Sequence, residues 1–110
     1  MDFAVMTERA LEIRARYDEY ERRAYGREWS TEELTLGLVG DIGDLAKLIQ
    51  AFEGVRTIDG EVSTQLGHEL ADILWSVITI AARCNVDLAA SFAATMNDIE
   101  AGLAERLRAP

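Results

Sequence analysis

One segment limits the fold of this chain more than any other. Between Thr64 and Arg83, the apolar residues Leu66, Leu70, Ile73, Leu74, Val77, Ile80 and Ala81 recur at helical spacing and run on to Cys84. Trp75 and Ile78 carry the apolar surface round to the other side. A helix that is apolar nearly all round has to be covered on several sides. Its polar residues Gln65, Glu69, Asp72, Ser76 and Arg83 are confined to one narrow strip. A chain of 110 residues is too short to cover such a helix alone and still close its other faces. The segment therefore predicts a helix bundle completed by oligomerisation, as a homo-oligomer that is a dimer or a dimer of dimers.

The rest of the chain reads the same way. It holds one proline and eight glycines, which suits long helices with few breaks. Helical periodicity predicts a first helix over about 4–25, with Ala10, Ile13 and Tyr17 on one face and an end near Gly26. Ser30 and Glu33 form a capping box that opens a second helix over about 31–53, stopped by Gly54. Val55–Ser63 contains the turn signal Asp59-Gly60 and reads as a loop. The third helix closes at Asn85, and Asp87 caps a fourth over about 88–107. The expectation is one all-α domain, a four-helix bundle over 1–110.

Charge and composition narrow the partners. A net charge of −9 disfavours a nucleic-acid backbone or an anionic membrane surface as the main partner. It permits a phosphorylated small molecule if cations neutralise the site. No apolar run approaches the roughly 20 residues that cross a bilayer, and the N-terminal MDFAVMTERA lacks the basic and apolar regions of a secretion signal. A single cysteine, Cys84, cannot form an intramolecular disulfide, which fits a reducing cytoplasm. Its apolar surroundings predict a buried small hydrophobe.

The chemistry gathers on the second and third helices. Leu34, Leu38, Leu45, Ile49 and Phe52 form one apolar stripe, with Asp41 inside it and Asp44 at its margin. A carboxylate in such a stripe needs a metal or a basic partner, unless the stripe is approximate and Asp41 faces water. Gly37, Gly40 and Gly43 lie along one side, where they either admit a close helix or ligand or merely weaken the helix. On the third helix, Glu69 and Asp72 share the polar strip. Two such acidic pairs on adjacent helices would repel one another strongly without a cation. Hard oxygen donors favour Mg²⁺, or Mn²⁺, over Zn²⁺, and one His68 and one Cys84 are too few for a structural zinc site.

These residues carry a resemblance. Leu38-Val-Gly-Asp-Ile-Gly-Asp-Leu45 and His68-Glu-Leu-Ala-Asp-Ile-Leu74 resemble the two acidic signatures of the MazG-like, all-α nucleoside triphosphate pyrophosphohydrolases. Ala81-Ala-Arg-Cys-Asn-Val-Asp-Leu88 is similar to the dCTP pyrophosphatase branch, and the likeness runs over about residues 5–105. The resemblance implies an enzyme in which water attacks the α-phosphorus of a nucleoside triphosphate, giving a monophosphate and pyrophosphate, in a house-cleaning role on the nucleotide pool. It implies Asp41, Asp44, Glu69 and Asp72 as the metal ligands, with Asp44 and Glu69 as catalytic residues and Asp44 favoured as general base. Aspartate stands at 41 and 44 where the family carries glutamate, which shortens the reach of both side chains. Many relatives bind phosphate through a lysine and an asparagine in the fourth helix, and the matching positions here are Thr95 and Ile99.

Substrate-binding candidates follow from what remains. Lys47 is the only lysine, and Lys47, Arg56 and Arg83 are the cations nearest the motifs, each also readable as solvated surface charge. Trp29 precedes the second helix, where the chain could present it at a pocket mouth for base stacking, whereas spacing places Phe52 in the core and Trp75 in core or interface. The alternative to an enzyme is a non-catalytic nucleotide-binding or protein-interaction module that retains the metal site.

Overall fold

The computed structural model describes residues 1–110 and contains four helices and no strand: α1 (Phe3–Tyr25), α2 (Thr31–Phe52), α3 (Val62–Arg83) and α4 (Leu88–Arg108). Local chemistry sets most of the ends. Asp2 accepts from the Val5 amide at 2.9 Å and opens α1. Gly26 ends it with φ of 80°, a left-handed conformation that glycine adopts without strain. At α2, the Glu33 amide donates to Ser30 Oγ and the Ser30 amide donates to Glu33 Oε1, both at 3.1 Å, so the expected capping box is present. Asp87 accepts from the Ala90 amide at 3.1 Å and opens α4 as expected. The third helix begins two residues earlier than its apolar pattern indicates. Gln65 donates from its backbone to Glu61 O and from its side chain to Asp59 O, tying the turn at Asp59-Gly60 to the first helical turn.

α2 packs along α3, α1 makes a shorter contact with α3, and no other pair of helices makes more than a marginal one. α4 leaves α3 at a bend of 105° and projects from the rest. The radius of gyration is 17.7 Å, against about 13 Å for a compact domain of roughly this length. Ile78 is the one hydrophobic residue that is fully buried. Phe92, Met96, Ile99, Leu103 and Leu107 form an exposed apolar stripe on α4, and Leu36, Val39 and Ile42 form another exposed apolar surface on α2. No single helix is long and apolar enough to cross a membrane.

Two packing expectations fail, and a third narrows. Phe52 is 66% exposed, because the α2 stripe outruns the helix it packs on. Cys84 is exposed at the C-cap of α3, where the helix ends before its apolar face is covered. A Cβ added at Gly37, Gly40 or Gly43 would meet nothing within 4 Å, so no helix of this chain approaches that row, and of its readings a ligand or a weakened helix remains.

Candidate functional site

The contact between α2 and α3 assembles the acidic pairs. Carboxylate oxygens of Asp41, Asp44 and Glu69 all lie within 4.8 Å of one another. Asp41 and Glu69 are half-buried and Asp44 is exposed, as its position at the stripe margin predicts. Asp72 stands just outside this set, with its Oδ2 3.6 Å from His68 Nε2 one turn back on α3. None of the chain's ion pairs involves Asp41, Asp44 or Glu69. The basic-partner explanation for Asp41 therefore fails within this chain.

The electrostatics register the crowding. Burial first, then the charges of Asp72 and Asp44, push the Asp41 carboxyl above its ordinary range. Burial also raises the Glu69 carboxyl, helped by Asp41, Asp44 and Asp72 and opposed by His68. Glu69 Oε1 is buried and accepts no hydrogen bond from the protein. An orphaned buried carboxylate oxygen is costly, and a coordinated cation is the natural partner for it. Three converging carboxylates with one unmet oxygen fit a hard divalent ion.

Asp41 also lines a cavity of about 380 Å³ that runs from the acidic cluster toward α1. Trp29 and Trp75 supply its aromatic surface, Gly37 leaves room on the α2 side, and Ser76 and Thr79 border it on α3. Thr79 is 3% exposed, and its hydroxyl has no partner in the protein. Arg14, 8% exposed, closes the far end. Trp75 donates from Nε1 to Ala10 O at 2.9 Å, which fixes its indole against α1, with the Tyr17 ring 5.4 Å away. Trp29 stacks on Tyr25 at 5.4 Å and 20°.

The candidate substrate residues divide. Trp29 lies at the cavity as expected. Lys47 is exposed on α2, one turn beyond Asp44, and pairs with no carboxylate. Arg56 is exposed and donates to Gln50 Oε1 at 2.9 Å. Arg83 does not stand free in solvent: it donates to Trp29 O at 2.6 Å and to Asp18 Oδ1 at 3.2 Å. Thr95 and Ile99 are exposed on α4, away from the packed helices.

Sequence reading missed Arg14, Asp18 and Glu21. Their spacing of four and three residues puts them on one side of α1, a signal that an amphipathic surface helix also gives. Arg14 donates from Nε to Asp18 Oδ1 at 2.8 Å and from Nη2 to Glu21 Oε2 at 2.5 Å. Burial pulls the Arg14 guanidinium down, yet the hydrogen bonds it donates to Glu21 and Asp18 outweigh it and hold the group above its ordinary value. Glu21, 2% exposed, accepts from the Trp29 amide through Oε1 at 2.8 Å.

Known proteins bear on this arrangement. No family model and no solved structure matches the chain. It is similar to dCTP pyrophosphatase 1 of Bos taurus, 36% identical over 95 residues that cover 78% of this chain and 54% of the relative. The proteins of the same name from Rattus norvegicus and Homo sapiens are each 37% identical, over 70 and 75 residues that cover 56% of this chain and 41% of theirs. The chain thus spans about half the length of the curated relatives it matches. These matches agree with the motifs quoted from α2 and α3 and with the all-helical fold that brings them together, and they support the resemblance to the MazG-like all-α family.

Proposed function

We propose that this protein is a nucleoside triphosphate pyrophosphohydrolase that acts on dCTP or a closely similar nucleotide. The observation that carries this reading is the meeting of two features at Asp41. On one side lies a carboxylate cluster with an orphaned buried oxygen on Glu69, and on the other a cavity bounded by two indoles. One feature suits a metal-bound triphosphate and the other a planar base. The names of the relatives support the same substrate class.

Asp41, Asp44 and Glu69, with Asp72 beside them, would hold Mg²⁺, or Mn²⁺. Such an ion neutralises the triphosphate and lowers the pKa of bound water. The chain's own residues do the rest. Trp29 and Trp75 hold the base, which places the α-phosphorus toward α2. Asp44, exposed at the edge of the cluster, takes the proton of the attacking water as the new bond to the α-phosphorus forms. The bond from the α-phosphorus to the bridging oxygen breaks, and pyrophosphate leaves with that electron pair. Lys47, unpaired and one turn along, offers an ammonium to the departing phosphates.

The uncovered faces support homo-oligomerisation. Burying a large side chain of the α4 stripe against a second copy contributes about 2 kcal/mol. The separate apolar surface on α2 provides a second interface, which suits a dimer of dimers.

The test is pyrophosphate release from a panel of ribo- and deoxynucleoside triphosphates with Mg²⁺ or Mn²⁺. Glu69→Gln is expected to lower kcat by about 100-fold or more, because it removes a ligand and a charge from the reacting centre. A folded protein that frees no pyrophosphate from any nucleotide would sink the reading. The exposed Thr95 and Ile99 favour one alternative, a nucleotide-binding module without turnover. Nucleotide binding by calorimetry with no product formed would establish it.

A further inference from the structure

The charged groups at the Arg14 end of the cavity have no part in the chemistry above, yet they form a closed circuit. Trp29 N donates to Glu21, and Glu21 accepts from Arg14. Arg14 donates to Asp18, Asp18 accepts from Arg83, and Arg83 donates back to Trp29 O. Two arginines balance two carboxylates, and both polar groups of one peptide residue are taken by charged side chains from two helices. We propose that Glu21, Arg14, Asp18 and Arg83 are positioning residues that fix the Trp29 backbone and, through it, the aromatic wall that holds the base. This inference rests on the nucleotide reading given above.

The connection from Gly26 to Ser30 has no helical ladder of its own to hold it. Left to local chemistry, a residue in such a link would bond to water and sample many orientations. Hydrogen bonds to charged partners are stronger and more directional than neutral ones. A buried ion pair adds little stability over apolar residues of the same volume, because desolvation offsets the attraction. Packing alone could therefore have been met by leucines. Leucines could not have fixed the direction of the Trp29 amide and carbonyl. The indole is restrained as well, by Tyr25 stacked on it and by the Arg27 guanidinium 5.5 Å from its centre. Arg14 also sits 5.9 Å from the Trp75 ring, so the circuit touches both aromatic walls.

The experiment compares two probes on the full chain in Mg²⁺: dCTP, which carries a base, and inorganic tripolyphosphate, which does not. Arg83→Met is expected to weaken dCTP binding, or raise its KM, by about tenfold while tripolyphosphate affinity stays within about twofold. Trp29→Ala should give the same split. The double variant should be no worse than the more affected single, since both remove one device. Arg83→Lys, which keeps the charge and one donor toward Trp29 O, should recover part of the loss. If Arg83→Met does not fold, Asp18→Asn keeps both bonds to Trp29 and loosens the two arginines that Asp18 holds. It should then raise the dCTP KM about threefold with tripolyphosphate unchanged. Equal loss for both probes, no loss for either, or additive effects with Trp29→Ala would overturn the positioning role while leaving the nucleotide reading intact. A wild-type protein that takes tripolyphosphate and no nucleotide overturns both.

Discussion

Arg14 and Asp41 line the same cavity, and the charged groups behind them are built on opposite plans. Behind Arg14, two arginines meet two carboxylates and every close charge has a partner. Behind Asp41, carboxylates converge with no cation paired to them, and the His68 imidazole reaches only Asp72. A balanced set is complete inside the folded chain and serves geometry. An unbalanced one is a folding cost, which under the proposed function a cation from outside would offset. The same residue types thus do different work at the two ends, and the difference lies in what each cluster lacks.

The largest expected effect falls on the balanced end. Glu21→Gln leaves the buried Arg14 with one countercharge fewer and should destabilise the protein by about 3 kcal/mol. Urea unfolding would show the midpoint falling at unchanged slope. A loss below about 1 kcal/mol would mean that water already reaches the pair, and the contrast with the acidic cluster would collapse.

The next effect concerns the unbalanced end. Mg²⁺ at about 100 times its dissociation constant should stabilise the fold by about 2.7 kcal/mol, seen as a rise in Tm that depends on metal concentration. Glu69→Gln should remove most of that rise, and Glu21→Gln should leave it in place. An equal rise in wild type and Glu69→Gln would place the metal elsewhere.

How far the sequence reveals these two regions depends on where each signal is stored. The helices are legible because caps and periodicity are local: Ser30 with Glu33, and Asp87, act within one turn. The acidic cluster is legible because a carboxylate inside an apolar stripe contradicts its surroundings wherever the stripe packs. Three of the four expected ligands converge, and Asp72 turns toward His68, a partner four residues back whose approach depends on side-chain choice. The circuit around Trp29 was not legible. Arg14, Asp18 and Glu21 have the composition and spacing of a solvated face, and the group they hold is a backbone amide, which leaves no mark in a sequence. Arg83 was misplaced for the same reason, since its acceptors come from α1 and the link before α2. Phe52 and Cys84 show the opposite error: helical periodicity continued past the point where a neighbouring helix existed to cover it.

The smallest effect separates the regions by the sign of a pH slope. Asp41 and Glu69 titrate above their ordinary values, so between those values and the raised ones the folded protein binds more protons than the unfolded chain. Stability of the metal-free protein should therefore fall as pH rises through that window, with the full penalty present above it. Glu33 behaves in the reverse sense. The Arg27 hydrogen bond, reinforced by the Ser30 backbone, holds its carboxyl down at about 2, so its contribution is present above the ordinary carboxylate value and is lost as pH falls toward 2. Subtracting the unfolding free energy of Glu69→Gln from that of wild type, pH by pH and without metal, cancels Glu33 and the other shared groups. The difference should turn against wild type as pH rises above the ordinary carboxylate value and through the raised one. Saturating Mg²⁺ should reverse it, because the wild-type carboxylates then have the countercharge that the balanced cluster carries within the chain. A difference that stays flat across this range would mean that the acidic residues are solvated, and that the two ends of the cavity do not differ in kind.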